Sequence, residues 1–270
     1  MERDAKKIFW YTLAFMAFST VWAFGNVVNG YSEFGGLKSI VSWVLIFVIY
    51  FIPYSLIVGE LGSTFKDAGG GVSSWISSTH GKLLAYYTGW TMWVVHMPYI
   101  SQKPSRIIAA FSWTVFRDNR ISKMDITYLQ IASLVIFLVA LFLATRGVNL
   151  IKKMAMLAGS SMFIMSLLFV VMAITAPSIT GAKTFDIDWS LDTFMPTFDV
   201  KYITSIAILV FAVGGCEKIS PYVNKMKNPS KDFPRGMIAL VVMVCTTAIL
   251  GTFAPVSYTH LRAHETPEHL

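Results

Sequence analysis

Apolar positions along this chain gather in long blocks, with short polar, basic or glycine-rich stretches between them. Seven blocks stand out: Phe9–Gly30, Ile40–Leu61, Leu83–Ser101, Ile126–Thr145, Met154–Ala176, Tyr202–Cys216 and Met237–Val256. Most are close to the roughly 20 residues that an α-helix needs to cross a bilayer. One or two such blocks could be core helices of a soluble protein, but seven in series predict an all-α, multi-pass membrane protein. The sixth is short and interrupted by glycine. The first follows the charged opening "MERDAKK". It is too long for a cleaved signal segment and lacks a small-residue cleavage site, so it is expected to remain as a span.

Composition agrees with this pattern. Of 270 residues, 55% are hydrophobic and 14% charged, against about 25% charged in ordinary soluble domains. The net charge of +7 is distributed as membrane topology would distribute it. With a cytoplasmic N-terminus, the inner segments collect the larger share of Lys and Arg, including Lys152, Lys153, Lys218, Lys225, Lys227, Lys231 and Arg235. That bias favours the N-inside orientation. The exception is the basic stretch Gln102–Lys123, which falls outside. It is either an amphipathic interfacial segment or an extension of the third helix. The positive charge therefore gives no reason to expect a nucleic-acid partner; the expected surroundings are a lipid bilayer, with a bacterial inner membrane as the location. Cys216 and Cys245 both sit in apolar blocks and read as small buried thiols rather than a disulfide.

After Pro255 the pattern stops. "VSYTHLRAHETPEHL" has no apolar periodicity and resembles translated sequencing-library adapter. The expected division is a partial membrane domain over residues 1–255 and a non-native tail over 256–270, with the natural protein continuing beyond. His260 and His264 are four apart, but Glu268 stands where a zinc-protease pattern would place its next histidine, and Pro267 breaks the helix. The outer-loop aspartates between Asp186 and Asp199 lack the glycine and closing glutamate of a calcium loop. No metal site and no cofactor are expected.

Two blocks carry helix breakers where a span should be continuous. In "VWAFGNVVNGYSEFGG" (Val21–Gly36), Gly25, Asn26, Asn29 and Gly30 lie inside an apolar run. In "FAVGGCEKISPYVNKMKNPSKDFPRG" (Phe211–Gly236), Gly214 and Gly215 interrupt the sixth block, and Glu217 is the first charged residue past them. Close helix packing through small residues could account for the glycines of the first stretch. The two asparagines need partners of another kind. Non-helical backbone at membrane depth survives only where it is buried in protein or lines a cavity. Broken helices also expose peptide dipoles: N–H groups at the start of one half attract a carboxylate, and carbonyls at the end of the other attract an ammonium. A zwitterion such as an amino acid suits both ends. An ionisable group at this depth, as at Glu217, is a functional candidate by default.

These stretches carry a family resemblance. "ELGSTFKDAGGGVSSW" (Glu60–Trp75) resembles the segment after the second helix in permeases of the amino acid–polyamine–organocation superfamily, departing at Lys66, where the family usually has proline. "GGCEKISPYVNKMKNPSKDFPRG" is similar to the same family's sixth helix and following loop; Gly215, Glu217, Lys227, Asn228, Pro229, Pro234 and Arg235 match its pattern. The wording "VWAFGNVVNGY" looks nearest to the glutamate/γ-aminobutyrate antiporter-like branch. The resemblance implies an inverted-repeat transporter fold with discontinuous helices 1 and 6. This chain would hold the first five-helix repeat and two helices of the second. It also implies amino-acid transport by alternating access, as antiport or proton symport, with a small amino acid as the partner and a proton or a second amino acid as the coupled species. Carried over by position, Ala23, Phe24, Gly25 and Asn26 would meet the substrate carboxylate, Gly214 and Gly215 the amino group, and Phe211 would be a gating aromatic. Glu217 would be a gate or proton-coupled carboxylate.

Bland readings stand beside these. Phe211 could equally be packing, Glu217 a buried hydrogen-bond hub, and Lys103 and Arg106 cations reaching for the interface. His96, mid-way along the third block, could relay protons but suits a satisfied helix-interface residue as well. A membrane-embedded enzyme would need facing nucleophile, base and orienter, and no block carries such a set. A channel would need continuous pore helices or a selectivity loop, neither of which is legible here.

Overall fold

The computed structural model describes residues 8–69, 71–180 and 190–259. The expected non-native tail and the first of the outer-loop aspartates, Asp186 and Asp188, fall largely or wholly outside them. Described residues are helical almost throughout. Twelve α-helices follow in order: α1 Trp10–Val21, α2 Gly25–Phe34, α3 Lys38–Ile46, α4 Ile52–Thr64, α5 Val72–His80, α6 Lys82–Ser101, α7 Lys103–Phe116, α8 Ile126–Thr145, α9 Val148–Thr180, α10 Leu191–Phe194, α11 Val200–Val213 and α12 Pro229–Thr259. A π-helical turn, Phe47–Phe51, joins α3 to α4, and a 3-10 segment, Cys216–Lys225, follows α11. The only bridge between extended segments among the described residues pairs Ile8 with Met226.

Among the described residues, five helical stretches are long and apolar enough to cross a membrane: Lys38–Thr64, Ile126–Thr145, Val148–Ala176, Val200–Lys225 and Pro229–Ala254. A sixth arises if α1 and α2, bent 48° from one another, are one broken span. The sequence reading of seven thus loses one block on hydropathy. That block became α6, a 20-residue helix whose Tyr86, Tyr87, Trp90 and Trp93, together with His96, lower its mean hydropathy although its length suffices. The basic stretch after it is not an extension of α6. It forms the separate helix α7, whose buried residues Pro104, Ile108 and Ser112 recur every fourth position, the spacing of one helical face.

Two compact units share the chain, Val72–Met154 and a second built from Lys7–Gly71 with the residues from Ala155 onward. In the first, α5 packs on α6 and α7 on α8. α8 has no buried residue at all and is apolar on every side, as a helix facing hydrocarbon would be. Asp125 caps its N-terminus by accepting a hydrogen bond from the Thr127 N–H at 2.8 Å, which holds the Asp125 carboxyl below the usual carboxylate range.

The second unit holds the core. α12 lies against α1 and α4, and the contacts depend on small residues. The face of Gly62 is covered by the ring of Phe233, and Gly59 by Pro234 and Met237; Phe233, Met237 and Leu240 are fully buried. Gly236 faces Leu13 and the carbonyl of Trp10. The start of α12 follows from "NPSKD": Pro229 occupies the first turn, where a missing N–H is harmless. The buried Asp232 accepts from the Asn228 N–H at 3.2 Å. The chain before α1 is pinned to the same region, with Ile8 N–H donating to Lys225 O at 2.9 Å and Lys227 N–H to Ile8 O at 3.1 Å.

Candidate binding site at two helix breaks

Both expected interruptions are present. The first separates α1 from α2 at Trp22–Phe24, slightly before the residues that the sequence singled out. Trp22 turns extended, with its N–H still donating to Phe18 O at 2.8 Å. Ala23 is exposed and Phe24 half-buried. Gly25 opens α2 and has open space where a side chain would project, whereas Gly30 is a packing glycine pressed by Trp43 and Leu209. The small-residue reading therefore applies to Gly30 and not to Gly25. Trp22 anchors the break by inserting its buried ring edge-on to Trp43, at a centroid distance of 5.8 Å. Phe24 packs edge-on against Phe169 of α9 at 4.9 Å. At the new helix start, the N–H groups of Asn26 and Val27 donate back to Ala23 O and Phe24 O at 2.9 and 3.0 Å.

The second break lies between Val213 and Cys216. Gly214 is extended, with φ −75° and ψ 158°, a conformation open to any residue. Gly215 sits at φ +105°, where an L side chain is strained and glycine is not. Beyond it the chain resumes as ten residues of 3-10 helix. This is unusually long for a form that rarely exceeds three or four residues and often marks a hinge or strain. Pro221, inside it, cannot donate a helical hydrogen bond.

Side chains link the two breaks. Asn26 Nδ2 donates to Ala212 O at 3.1 Å. Its amide thus satisfies one of the carbonyls that the end of α11 leaves without a helical partner. Tyr54 on α4 donates its hydroxyl to Glu217 Oε2 and stacks on Tyr50 one turn earlier, at 5.3 Å. The Tyr50 hydroxyl comes to within 3.8 Å of the position a Gly214 side chain would occupy. Ser55 faces the Cys216 sulfur at 3.9 Å, and Ser220 Oγ donates to Glu217 O at 2.6 Å. Lys218 curls back over Gly215. Both cysteines are free thiols.

Of the residues picked from sequence, Ala23, Phe24, Gly25, Asn26, Gly214, Gly215 and Glu217 thus lie on or beside these breaks. Phe211, on α11, is 78% exposed. His96 belongs to the other unit. There its Nδ1 lies 2.5 Å from Met92 O, and it lines an apolar cavity of about 500 Å³ with Trp93, Ser133 and Phe137. Sequence reading missed Tyr50, Tyr54 and Lys218. The tyrosines carried a faint signal, hydroxyls four apart on one face of an apolar helix, but nothing in the sequence pointed that face at Glu217.

The description "amino acid permease" fits a family model that matches residues 8–258. The chain belongs to the amino acid permease family. Within that family it is similar to the aspartate/glutamate permease AcaP of Lactococcus lactis subsp. cremoris. The two are 54% identical over 256 residues, covering 93% of this chain and 52% of the relative. It is 22% identical to the inner membrane transporter YjeM of Escherichia coli, over 94% of this chain and 52% of the relative. It is 23% identical to the glutamate/gamma-aminobutyrate antiporter of Lactococcus lactis subsp. lactis, over 77% of this chain and 41% of the relative. The chain spans about half the length of these relatives. The resemblance read from the two motifs is thus borne out, as is a multi-pass, all-α membrane permease fold broken at the first and sixth helices.

Proposed function

We propose that the chain is the part of a secondary amino-acid transporter that supplies both discontinuous helices, and that its substrate binds between them during alternating access. The observation that carries this reading is the Asn26–Ala212 hydrogen bond, 3.1 Å long. It ties the opening turn of one half-helix to the closing turn of the other, so the two sets of peptide dipoles work on one small volume. The substrate carboxylate meets backbone amides at Ala23, Phe24 and Gly25, since the Asn26 N–H is already engaged. The substrate ammonium meets carbonyls at the end of α11 and around Gly214 and Gly215. Glu217, held by Tyr54, is the gate or proton-coupled carboxylate, and the N-terminus faces the cytoplasm of a bacterial cell.

Substrate identity follows the similarity to an aspartate/glutamate permease, so acidic amino acids are the first to test. The full-length protein, reconstituted in vesicles, takes up radiolabelled aspartate or glutamate. A preloaded amino acid accelerates this uptake if the cycle is exchange, and an imposed pH gradient drives it if the cycle is proton symport. Gly215→Leu, which fills the second break, abolishes uptake, and Glu217→Gln reduces it severely. Normal uptake in both variants would remove the site from consideration.

A further inference from the structure

One turn in the helical stretch Lys38–Thr64 is not α-helical. Phe47–Phe51 is a π-helical turn, a rare geometry found mostly as single turns inside helices and often at functional sites. Phe47 and Phe51 are buried, and the ring of Phe47 lies against those of Trp43 and Phe51 at 5.6 and 6.0 Å. Tyr50 is the polar residue of the turn and is half-buried. Its ring is fixed by stacking on Tyr54 at 5.3 Å, with 15° between the planes, and Tyr54 is fixed in turn by Glu217. The two hydroxyls have different fates. That of Tyr54 is engaged by Glu217. That of Tyr50 lies at the second break and has no hydrogen-bond partner among the described residues.

The backbone at that point offers acceptors. Val210 O and Phe211 O, near the end of α11, lie 3.5 and 3.8 Å from where a Gly214 Cβ would stand, and the Tyr50 hydroxyl oxygen lies 3.8 Å from the same point. Carbonyls serve a substrate ammonium, but they cannot bond a substrate oxygen. We infer that Tyr50 is a specificity-determining residue whose hydroxyl donates to an oxygen on the substrate's side chain, which makes the preferred ligands amino acids whose side chain ends in a carboxylate or carboxamide. This rests on the reading that the breaks hold the substrate. An apolar side chain of the same shape leaves the hydroxyl without an acceptor once water is displaced, and an unmatched donor away from water is costly. A site that hydrogen-bonds a substrate group therefore rejects the analogue lacking it more sharply than an apolar pocket can.

Leucine is the test ligand, because its two methyl groups stand where aspartate has two oxygens. In vesicles holding the full-length transporter, KM for aspartate uptake is measured beside the inhibition constant of leucine, and neither depends on expression level. Tyr50→Phe keeps the stacked ring and removes the hydroxyl. It raises KM for aspartate about tenfold or more and leaves the leucine constant within about twofold of the parent. Tyr54→Phe, which removes the hydroxyl on Glu217, leaves the ratio of the two constants unchanged. A parental KM for aspartate in Tyr50→Phe overturns the inference, whether or not leucine inhibits. So does an equal weakening of both ligands, which would mark Tyr50 as a structural residue, and so does an equal change of ratio in Tyr54→Phe. A parent protein that binds leucine as well as aspartate overturns this inference alone. A parent that carries no amino acid at all overturns the transport reading with it.

Discussion

Gly214 and Gly215 look interchangeable as letters, yet the structure sets them apart, and substituting each by alanine measures the difference. Gly214 is extended at φ −75° and ψ 158°. A Cβ there would meet nothing closer than Val210 O at 3.5 Å, an ordinary contact. Gly214→Ala is therefore neutral, or stabilising by about 0.4–1 kcal/mol because it narrows the unfolded ensemble. Gly215 is at φ +105°, and forcing an L residue into the left-handed region costs about 1–2 kcal/mol. The new methyl would also meet Lys218 Nζ at 3.0 Å. That end of a flexible side chain can move, so displacement adds little to stability but carries the ammonium off the break. Asparagine, which visits left-handed backbone more readily than alanine, falls between. Cys216, buried and free immediately after the break, provides the readout. A thiol-reactive fluorophore labels it as the purified protein unfolds on heating, and the same preparations give aspartate uptake. The expected order of melting temperatures is Gly214→Ala at or above the parent, then Gly215→Asn, then Gly215→Ala, with uptake impaired only at position 215. If Gly214→Ala proves as damaging as Gly215→Ala, the conformational account of the second break is wrong.

Other consequences can be checked in the same preparations. Gly62→Ala places a methyl against the buried Phe233 ring, with Cζ at 2.9 Å. It destabilises by about 1–3 kcal/mol, and Phe233→Leu relieves part of that loss, so the double variant is more stable than the sum of the singles predicts. Tyr54→Phe removes the hydroxyl bound to Glu217. Its effect on uptake and that of Glu217→Gln are therefore non-additive, and a double variant no worse than the more impaired single is expected. Asp125 titrates below the usual range because Thr127 N–H bonds to its ionised form. Since the folded-state pKa is depressed, this stabilisation is present above the ordinary aspartate pKa and fades as pH falls through the folded value. The hydrogen-exchange protection factor in the first turn of α8, taken against the free-peptide rate at each pH, should fall at acid pH in the parent and lose that pH dependence in Asp125→Asn.

How far sequence reached is explained by what each feature depends on. A span is a property of one contiguous stretch, which is why Ile126–Thr145 coincides with α8 to the residue. The second break depends on a single residue that needs positive φ, so it too was local and readable. The first break was displaced by a few residues because its bend is stabilised by distant rings: Trp22 against Trp43 of α3 and Phe24 against Phe169 of α9. No window around Gly25 contains those partners. The same holds for the side chains around the site. Asn26 was legible as an amide in need of a partner, but its acceptor lies 186 positions away. Tyr54 finds Glu217 across 163 positions.

That division has a consequence for the function. The parts readable from short windows, glycines and a carboxylate, are those the backbone needs in order to break, and a chemistry shared by any amino acid can use them. The side chains brought in from a distance, Tyr50 and Tyr54, can differ without disturbing the breaks, because each reaches them through a hydroxyl at the end of its chain. Substrate preference can therefore change by substitution at such positions while the two breaks stay as they are. An exchange at Tyr50, whose hydroxyl reaches the second break from another helix, should alter which amino acid is carried before it alters whether one is carried, and an exchange at Gly215 should do the reverse.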